Sequence, residues 1–196
     1  GELDGLRETY YGPDQVEAKE NYKDGQLDGL QETYWLNGRL KFSQNYKDGE
    51  LDGLSETFTI TGDLDAKENY KDGELDGLRE DYLHRILVER SIYTDGKLDG
   101  LSETYYWPSK QLRSTEYYKY GVLDGLQETY YDSDQLFTTL NFIDGEANGP
   151  YEQYYENGQL QSIQNYKDGE LDGLSESYLE TGQLIMKLCM KNDESA

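Results

Sequence analysis

The chain has 196 residues, 35% of them hydrophobic, and its 41 acidic and 18 basic residues give a formal net charge of −23. This acidity excludes direct binding to the phosphate backbone of nucleic acid, which requires Lys and Arg to replace counterions. It also argues against binding to anionic membranes and favours a partner with a basic surface. Disorder is not expected, because the chain has 20 Tyr, 4 Phe and 2 Trp and disordered chains are poor in aromatic residues.

Three features indicate the cellular setting. No apolar run approaches the length of a membrane helix, and no secretory signal is visible, so we expect a cytoplasmic protein. The chain has one cysteine, Cys189, which rules out a disulfide within the chain. The sequence starts at Gly1 in the middle of a repeated motif, which suggests a trimmed N-terminus.

The dominant pattern is an internal repeat of the form Gly-x-Leu-Asp-Gly-Leu-x-Glu-x-Tyr. Its copies begin at Gly1, Gly25, Gly49, Gly73, Gly96, Gly121, Gly145 and Gly169. Each copy contains two β-prone runs separated by turn residues, which predicts one β-hairpin per copy. The predicted fold is therefore all-β: an elongated, single-layered, twisted array of eight hairpins of about 24 residues, spanning residues 1–196 as one domain.

Turn residues mark both ends of each hairpin. Asn157-Gly158 lies at the tip of the seventh copy and predicts a type I′ turn, which needs positive φ at both central residues. Asp-Gly steps join successive copies. The fourth copy is one residue short and the fifth is one residue long, and both changes fit at the tips, at His84-Arg85 and at residues 107–110.

Alternation along the strands predicts which side chains share a face. We assign the recurring Leu and Tyr columns to a packing face, which in the first copy carries Leu6, Glu8, Tyr10, Val16, Ala18, Glu20 and Tyr22. The opposite face then carries Arg7, Thr9 and Lys19.

The last strand is apolar on both faces, with Ile185, Met186, Leu188 and Met190. It is either a cap that folds against the array or an edge offered to another chain. We favour the capping strand, since terminal repeats are commonly atypical caps.

Two segments of the seventh and eighth copies carry a family resemblance. Residues 154–160 read Tyr-Tyr-Glu-Asn-Gly-Gln-Leu, and residues 165–174 read Asn-Tyr-Lys-Asp-Gly-Glu-Leu-Asp-Gly-Leu. This pattern resembles the MORN repeat variant family, the bacterial relative of the membrane occupation and recognition nexus repeat. The resemblance implies a β-hairpin array without shared catalytic residues, and a role as an antitoxin or immunity component beside a bacterial toxin.

A glutamate occupies the same position in every copy, at Glu8, Glu32, Glu56, Glu80, Glu103, Glu128, Glu152 and Glu176. One hypothesis is an acidic ladder that binds a basic partner or cations. The alternative, which we favour, is structural: each carboxylate accepts hydrogen bonds from turn amides or from tyrosine hydroxyls of an adjacent repeat.

No residue pattern indicates catalysis, a metal or a cofactor. The recurring aspartates lack the spacing of an EF-hand or of a calcium-binding β-roll, and Asp before Gly is ordinary turn chemistry. His84 is the only histidine, so a common zinc site is not expected. Cys189 lies in an apolar strand, without the basic neighbours of a reactive thiol. We therefore expect no enzymatic activity.

An aromatic stripe follows the common tyrosine, with Leu in two further copies: Tyr11, Trp35, Leu83, Tyr106, Tyr131, Tyr155 and Leu179. These rings either form a protein-binding surface or cover the strand backbones of neighbouring repeats. The fourth and fifth copies depart from the pattern together, either as a partner-specific patch or by drift. The candidate partner-binding residues are Tyr11, Trp35, Leu83, His84, Arg85, Tyr106, Trp107, Tyr131 and Tyr155.

The expected function is non-enzymatic protein binding, as an antitoxin or immunity-type inhibitor of a basic toxin protein. The alternative is a generic interaction scaffold or a surface-associated repeat protein without an inhibitory role. Membrane binding is not expected, and the sequence leaves the oligomeric state open.

Overall fold

The computed structural model describes residues 2–190. These residues form β-strands joined by turns, and none of them is helical. The chain divides into two compact units, residues 1–97 and 98–196. Within each unit the strands pair antiparallel with their neighbours in sequence, which confirms the predicted all-β fold of hairpin repeats.

The first unit contains four hairpins. Its strands are β1 (Gly5–Gly12), β2 (Gln15–Lys23), β3 (Gln26–Leu27), β4 (Gly29–Tyr34), β5 (Leu40–Lys47), β6 (Glu50–Phe58), β7 (Leu64–Lys71), β8 (Glu74–Leu83) and β9 (Ile86–Thr94). Asp28 separates β3 from β4, which together form the first strand of the second hairpin.

The second unit also contains four hairpins. Its strands are β10 (Lys97–Tyr105), β11 (Leu112–Lys119), β12 (Val122–Leu123), β13 (Gly125–Tyr130), β14 (Leu136–Ile143), β15 (Glu146–Ala147), β16 (Gly149–Tyr154), β17 (Leu160–Lys167), β18 (Glu170–Tyr178) and β19 (Leu184–Met190). Asp124 and Asn148 interrupt the first strands of the sixth and seventh hairpins.

The turns between successive hairpins are two-residue type I′ turns. In the first of them Asp24 has φ 49° and Gly25 has φ 82°, and Lys23 pairs with Gln26 across the turn. Asp tolerates this left-handed conformation better than most residues, and Gly has no Cβ to oppose it. Asp-Gly therefore closes six of these turns, and Tyr120-Gly121 closes the remaining one.

The prediction of a type I′ turn at the Asn-Gly tips is wrong. At the second tip Gly38 has φ 79° but Asn37 is not left-handed, and the Gly38 N–H donates to the Trp35 carbonyl at 2.8 Å. Leu36 and Asn37 are therefore the central residues of the turn, and left-handed Gly38 follows it. This is the usual pattern of hairpin loops longer than two residues.

The differences in repeat length lie at the tips, as predicted. At the fourth tip His84 and Arg85 have φ 50° and 69°, and Leu83 pairs with Ile86. The shortened copy thus closes with a two-residue type I′ turn. The fifth tip is one residue longer, and the N–H of Tyr106 donates to the carbonyl of Gln111 at 2.8 Å.

A Gly–Asn pair shapes the start of four hairpins, the second, third, fourth and eighth. Asp52, Gly53 and Leu54 of β6 lie opposite the single residue Asn45 of β5, and Gly53 has φ 108°. The Asn45 side-chain amide donates to the carbonyl of Leu54 at 2.8 Å. A Cβ on Gly53 would lie 3.3 Å from that of Asn45, so the close approach requires glycine. The pair recurs as Gly29 with Asn21, Gly77 with Asn69, and Gly173 with Asn165.

Register corrects the predicted packing face. Glu8 lies opposite Lys19 and Thr9 lies opposite Ala18, so the two tyrosine columns lie on opposite faces and not on one. The Glu face carries Leu6, Glu8, Tyr10, Lys19 and their equivalents. The Ser face carries Arg7, Thr9, Ala18, Glu20, Tyr22 and their equivalents. Alternation fixes faces within a strand, but cross-strand register relates one strand to the next.

Burial is slight and lies on the Ser face. Ala18, at 7% exposed, is the only buried hydrophobic residue of the described chain. The other buried residues are polar and occupy the centre of this face: Gln31, Ser55, Ser91, Ser102 and Ser175. On the Glu face no leucine of the Leu column is buried, and Leu6 is 61% exposed. The Leu column is therefore not a core, contrary to its predicted role.

The last strand is also corrected. β19 pairs with β18 as an ordinary second strand of a hairpin. The side chains of Leu184, Ile185, Met186 and Leu188 are 44–59% exposed, so they do not fold against the array as a cap. The Met190 side chain lies outside the described part of the structure.

Backbone bonds join each turn to the preceding turn. The Gly49 N–H donates to the Leu27 carbonyl, and the Gly73 N–H donates to the Leu51 carbonyl, both at 2.9 Å. The equivalent bond forms at every inter-hairpin turn, with lengths of 2.7–3.0 Å. These hydrogen bonds connect successive turns along the turn edge of the sheet.

We expect Gly53→Ala to destabilise the protein by about 1–3 kcal/mol, because it combines a left-handed backbone with a close contact to Asn45. Urea unfolding followed by circular dichroism measures the change. Gly12→Ala is the control, since Gly12 is not left-handed and a Cβ there meets open space; we expect a change within about 1 kcal/mol. Equal losses in the two variants would contradict this account of the Gly–Asn pair.

Candidate functional surfaces

The glutamates of the Glu face are held by tyrosine hydroxyls. The hydroxyl of Tyr34 donates to Glu32 at 2.8 Å, and that of Tyr154 donates to Glu152 at 2.6 Å. The bond forms in seven of the eight hairpins, at 2.6–3.1 Å; the third has Phe58 in place of the tyrosine. The donor is a tyrosine hydroxyl, as the favoured structural hypothesis predicts. It belongs to the same strand, two residues further along, and not to an adjacent repeat, because residues i and i+2 of a strand share a face.

Burial and these bonds with glutamate raise the pKa of the tyrosine donors, to about 12 in Tyr34, Tyr130 and Tyr154. The pKa of Glu176 is lowered, first by Lys187, whose ammonium lies 2.8 Å from the carboxylate, and second by Tyr178. The hydroxyls of these tyrosines therefore remain protonated hydrogen-bond donors at neutral pH.

The neighbours of this glutamate row differ between the two units. In the first unit Lys19 lies opposite both Glu8 and Glu32, and Lys67 occupies the same position two hairpins later. In the second unit the corresponding residues are Thr115, Thr139, Ile163 and Lys187. The carboxylates of Glu128 and Glu152 thus lie among uncharged neighbours in their row, which leaves their charge less compensated.

The aromatic stripe joins hairpins to one another. The hydroxyls of Tyr131 and Tyr155 donate to the carbonyls of Tyr154 and Tyr178, at 2.8 and 2.9 Å, and the Trp35 indole N–H donates to the Phe58 carbonyl at 3.1 Å. Tyr11 and Tyr106 make the same bond. This geometry favours the second reading of the stripe, in which the rings cover the backbone of the neighbouring repeat.

The rings of the stripe are also covered on one side. The Lys41 ammonium lies 4.7 Å from the centroid of the Trp35 ring, and the Phe137 ring lies 4.8 Å from that of Tyr131. Both covering residues come from the bulged position of the next strand. The stripe consequently fixes the tips, although Tyr11 remains 45% exposed.

The remaining candidate residues lie at two tips, one in each unit. Leu83, His84 and Arg85 form the fourth tip, where Leu83 is 46% exposed. The Arg85 guanidinium pairs with Asp63 of the third tip and lowers the pKa of that carboxyl. Trp107, 53% exposed, lies at the fifth tip.

A shallow groove of about 470 Å³ opens on the Ser face of the second unit. It is lined by Thr104, Tyr106, Arg113, Ser114, Glu116, Thr129, Tyr130 and Phe137. The equivalent groove of the first unit, about 300 Å³, lies against Tyr11, Ala18 and Phe42. Both are open depressions between neighbouring hairpins.

Among residues 2–190, no group of three or more His, Cys, Asp or Glu side chains is arranged to hold a metal ion. Two of the recurring aspartates accept hydrogen bonds from turn amides: Asp99 from the Tyr120 N–H at 3.2 Å and Asp124 from the Asp144 N–H at 3.4 Å. His84 and Cys189 lie in different hairpins. The described residues contain no helix that could cross a membrane.

Four segments match the MORN repeat variant family: residues 27–48, 123–144, 147–168 and 171–192. Each begins at or beside a turn and runs through one hairpin, with one segment in the first unit and three in the second. The resemblance to this repeat is thereby confirmed in these four copies. MORN repeats indicate a protein-binding repeat protein. No curated protein sequence matches the chain significantly.

The candidate residues chosen from the sequence omit four exposed apolar residues of the second unit: Tyr117, Tyr120, Val122 and Ile143. They lie at or near the turns, whereas the candidate residues lie at the tips. The signal that identifies them is the replacement of polar residues that other copies carry at the same positions.

We expect Tyr131→Phe and Tyr155→Phe each to lower the free energy of unfolding by about 0.5–1.5 kcal/mol, since each loses one bond to the next hairpin. Urea unfolding measures the effect. Tyr120→Phe is the control, because Tyr120 is 64% exposed, and we expect a change below about 0.5 kcal/mol. Unchanged stability in all three variants would mean that the stripe does not hold the tips.

Stability should fall in alkali. Tyr34, Tyr130 and Tyr154 have a pKa of about 12 in the fold against 10.0 ordinarily. Their protonated forms stabilise the fold fully below pH 10, and this contribution is lost as the pH rises from 10 to 12. The urea midpoint should drop across this range, and less steeply when all three are changed to Phe. If the urea midpoint falls equally steeply with pH in the wild-type protein and in the triple variant, at matched ionic strength, these tyrosines do not cause the loss of stability.

Proposed function

We propose that this protein is a non-enzymatic inhibitor of the antitoxin or immunity type, which binds a basic toxin protein and blocks it. The chain supplies binding surfaces and performs no chemistry on the partner. The toxin assignment is supported by the resemblance of its repeats to a family described beside bacterial toxins. The charge of the partner is inferred from the acidity of the chain.

The observation that carries the proposal is the ordered glutamate row of the Glu face. Glu128 and Glu152 each accept a tyrosine hydroxyl, at 2.9 and 2.6 Å. Their conformations are set before a partner arrives, so little side-chain entropy is lost on binding. Fixed carboxylates one repeat apart match a surface of spaced Lys and Arg side chains.

Each unit, taken by itself, presents exposed apolar side chains at its tips. Tyr11, Leu83 and Trp107 are 45–53% exposed, and such residues are typical of binding hot spots. Arg85 and His84 flank Leu83 and add polar contacts. Trp35, Tyr106, Tyr131 and Tyr155 fix their own tips through their bonds to the next hairpin.

A generic scaffold is the second candidate. It is favoured by the uniformity of the bonds between hairpins, since every copy repeats them and a scaffold needs no singular site. A scaffold would bind through many copies. Deletion of any pair of hairpins would then weaken binding by a similar factor.

The test is co-expression with the products of the genes adjacent to this one, scored by growth and by the affinity of any purified complex. We expect neutralisation by the wild-type protein. The double variant Glu128→Gln and Glu152→Gln should weaken binding by about tenfold or more, because it removes two fixed charges. Its amide oxygens can still accept the tyrosine hydroxyls, so the fold is retained.

The matched control is Glu170→Gln with Glu180→Gln, which changes the net charge equally at two exposed positions of the same unit. Equal losses in the two double variants would mean that only total charge is recognised, which favours the scaffold. Absence of binding and of neutralisation would reject the inhibitor.

A further inference from the structure

An apolar patch lies on the turn edge of the second unit. It consists of Tyr117, Tyr120, Val122, Leu126 and Ile143, which are 40–64% exposed. We call it the turn patch. Large apolar side chains rarely cluster on a surface without a binding role.

The other hairpins serve as internal controls for this patch. Tyr117 replaces an Asn that five other copies carry, and Tyr120 replaces an Asp at six other turns. The residues equivalent to Val122 are Gln26, Glu50, Glu74, Lys97, Glu146 and Glu170, and those equivalent to Ile143 are Lys23, Lys47, Lys71, Thr94, Lys119 and Lys167. The repeat therefore folds with polar residues at all four positions, and the apolar ones are not required by the fold.

Tyr117, Val122, Leu126 and Ile143 lie on the Glu face, and Tyr120 lies in the turn between Tyr117 and Val122. A Cβ on Gly125, beside Leu126, would lie 2.8 Å from that of Tyr117, so this ring sits at the start of the next hairpin. Val122 approaches the following turn, where a Cβ on Gly145 would lie 3.2 Å from its Cγ1. Register places Ile143 and Leu126 on one face of that hairpin.

Tyr120 occupies its position at a conformational cost. Its φ is 51°, the left-handed region that Asp or Asn tolerates and a bulky aromatic residue disfavours. The ring is nevertheless 64% exposed, so burial does not compensate for the strain. Strained backbone combined with an exposed aromatic side chain is typical of functional sites.

The charge around the turn patch is negative. Residues 120–166 include eight acidic residues and no Lys or Arg. Asp99 and Asp124 lie beside the patch, where their carboxylates accept the N–H groups of Tyr120 and Asp144. Lys119, which pairs with Val122 across the turn, is a basic residue beside the patch.

We propose that the turn patch is the docking site for a protein partner that presents Leu, Ile or Phe side chains flanked by Lys and Arg. Apolar contact with the turn patch supplies affinity, and the surrounding acids select the basic flanks. This inference rests on the proposed binding of a basic protein and names the surface that its apolar residues contact. A second copy of the chain is a poor occupant, because residues 98–190 carry 16 acidic and five basic residues and two copies repel.

The test uses two synthetic peptides with equal numbers of lysines and arginines, one with Leu and Phe at its centre and one with Ser there. Fluorescence anisotropy measures their binding to the full chain. We expect the apolar peptide to bind about tenfold more tightly. The variant Tyr117→Asn, Tyr120→Asn, Val122→Gln and Ile143→Thr should abolish this preference, because it removes the apolar groups without changing the net charge.

The control is Ile92→Asn with Ile185→Gln, which removes two exposed apolar residues outside the turn patch, also at constant charge. It should leave the preference for the apolar peptide intact. A structural role is tested by Tyr120→Asn alone: we expect its thermal midpoint to rise, since Asn relieves the left-handed strain. A fall in that midpoint would show that Tyr120 serves the fold and would overturn its role in docking.

Equal binding of both peptides, or a preference that survives in the four-residue variant, would overturn the turn patch while leaving the acidic-surface proposal in place. Absence of binding by either peptide would also overturn it, and the inhibitor proposal would still be decided by neutralisation with the Glu128 and Glu152 variant. Sedimentation analysis gives the remaining outcome. Self-association that the four-residue variant abolishes would assign the turn patch to a second copy and reject the basic partner.

Discussion

A single-layered sheet has no second layer against which to bury apolar side chains, and this constraint governs the structure. Ala18 is the only buried hydrophobic residue of the described chain, so packing cannot hold one hairpin against the next. Directional bonds take its place. Turn glycines donate to the carbonyls of the preceding turn, and aromatic hydroxyls donate to the carbonyls of the following hairpin. The glycine bonds and the hydroxyl bonds each require an acceptor carbonyl at the equivalent place in the neighbouring copy, which explains why these residues recur.

This arrangement separates the side chains that maintain the array from those that are free to bind. Tyr131 and Tyr155 use their hydroxyls within the array, so the regular part of the aromatic stripe is mainly structural. The glutamates of the Glu face accept bonds within the array and also remain available for binding, because a carboxylate that accepts one tyrosine hydroxyl still presents its charge to solvent. Some departures from the repeat have structural partners, as Arg85 has in Asp63. The exposed ring of Tyr120 is not required by its turn, since Asp occupies the same position at six other turns, and such a departure is informative about function.

Much of the fold could be predicted because its signals are local. Asp24-Gly25 requires only its own backbone preference to form a type I′ turn, and the short and long copies place their changes at the tips. The turn type at the Asn37-Gly38 tip could not be predicted from the dipeptide alone, because the length of the loop decides which turn type forms. The predicted packing face is wrong for a related reason. The pairing of Glu8 with Lys19 depends on the register between two strands, and alternation within one strand gives no information about that register.

The sequence by itself determined the all-β class, the eight hairpins and their boundaries, because hydrophobic alternation and turn chemistry act over a few residues. The tertiary structure alone decided which residues are held and which are exposed. It placed the hydroxyl of Tyr155 on a carbonyl 23 residues away and brought Tyr117, Val122 and Ile143 to one face across two turns. Such contacts join residues of different copies, and register between strands is the physical quantity that creates them.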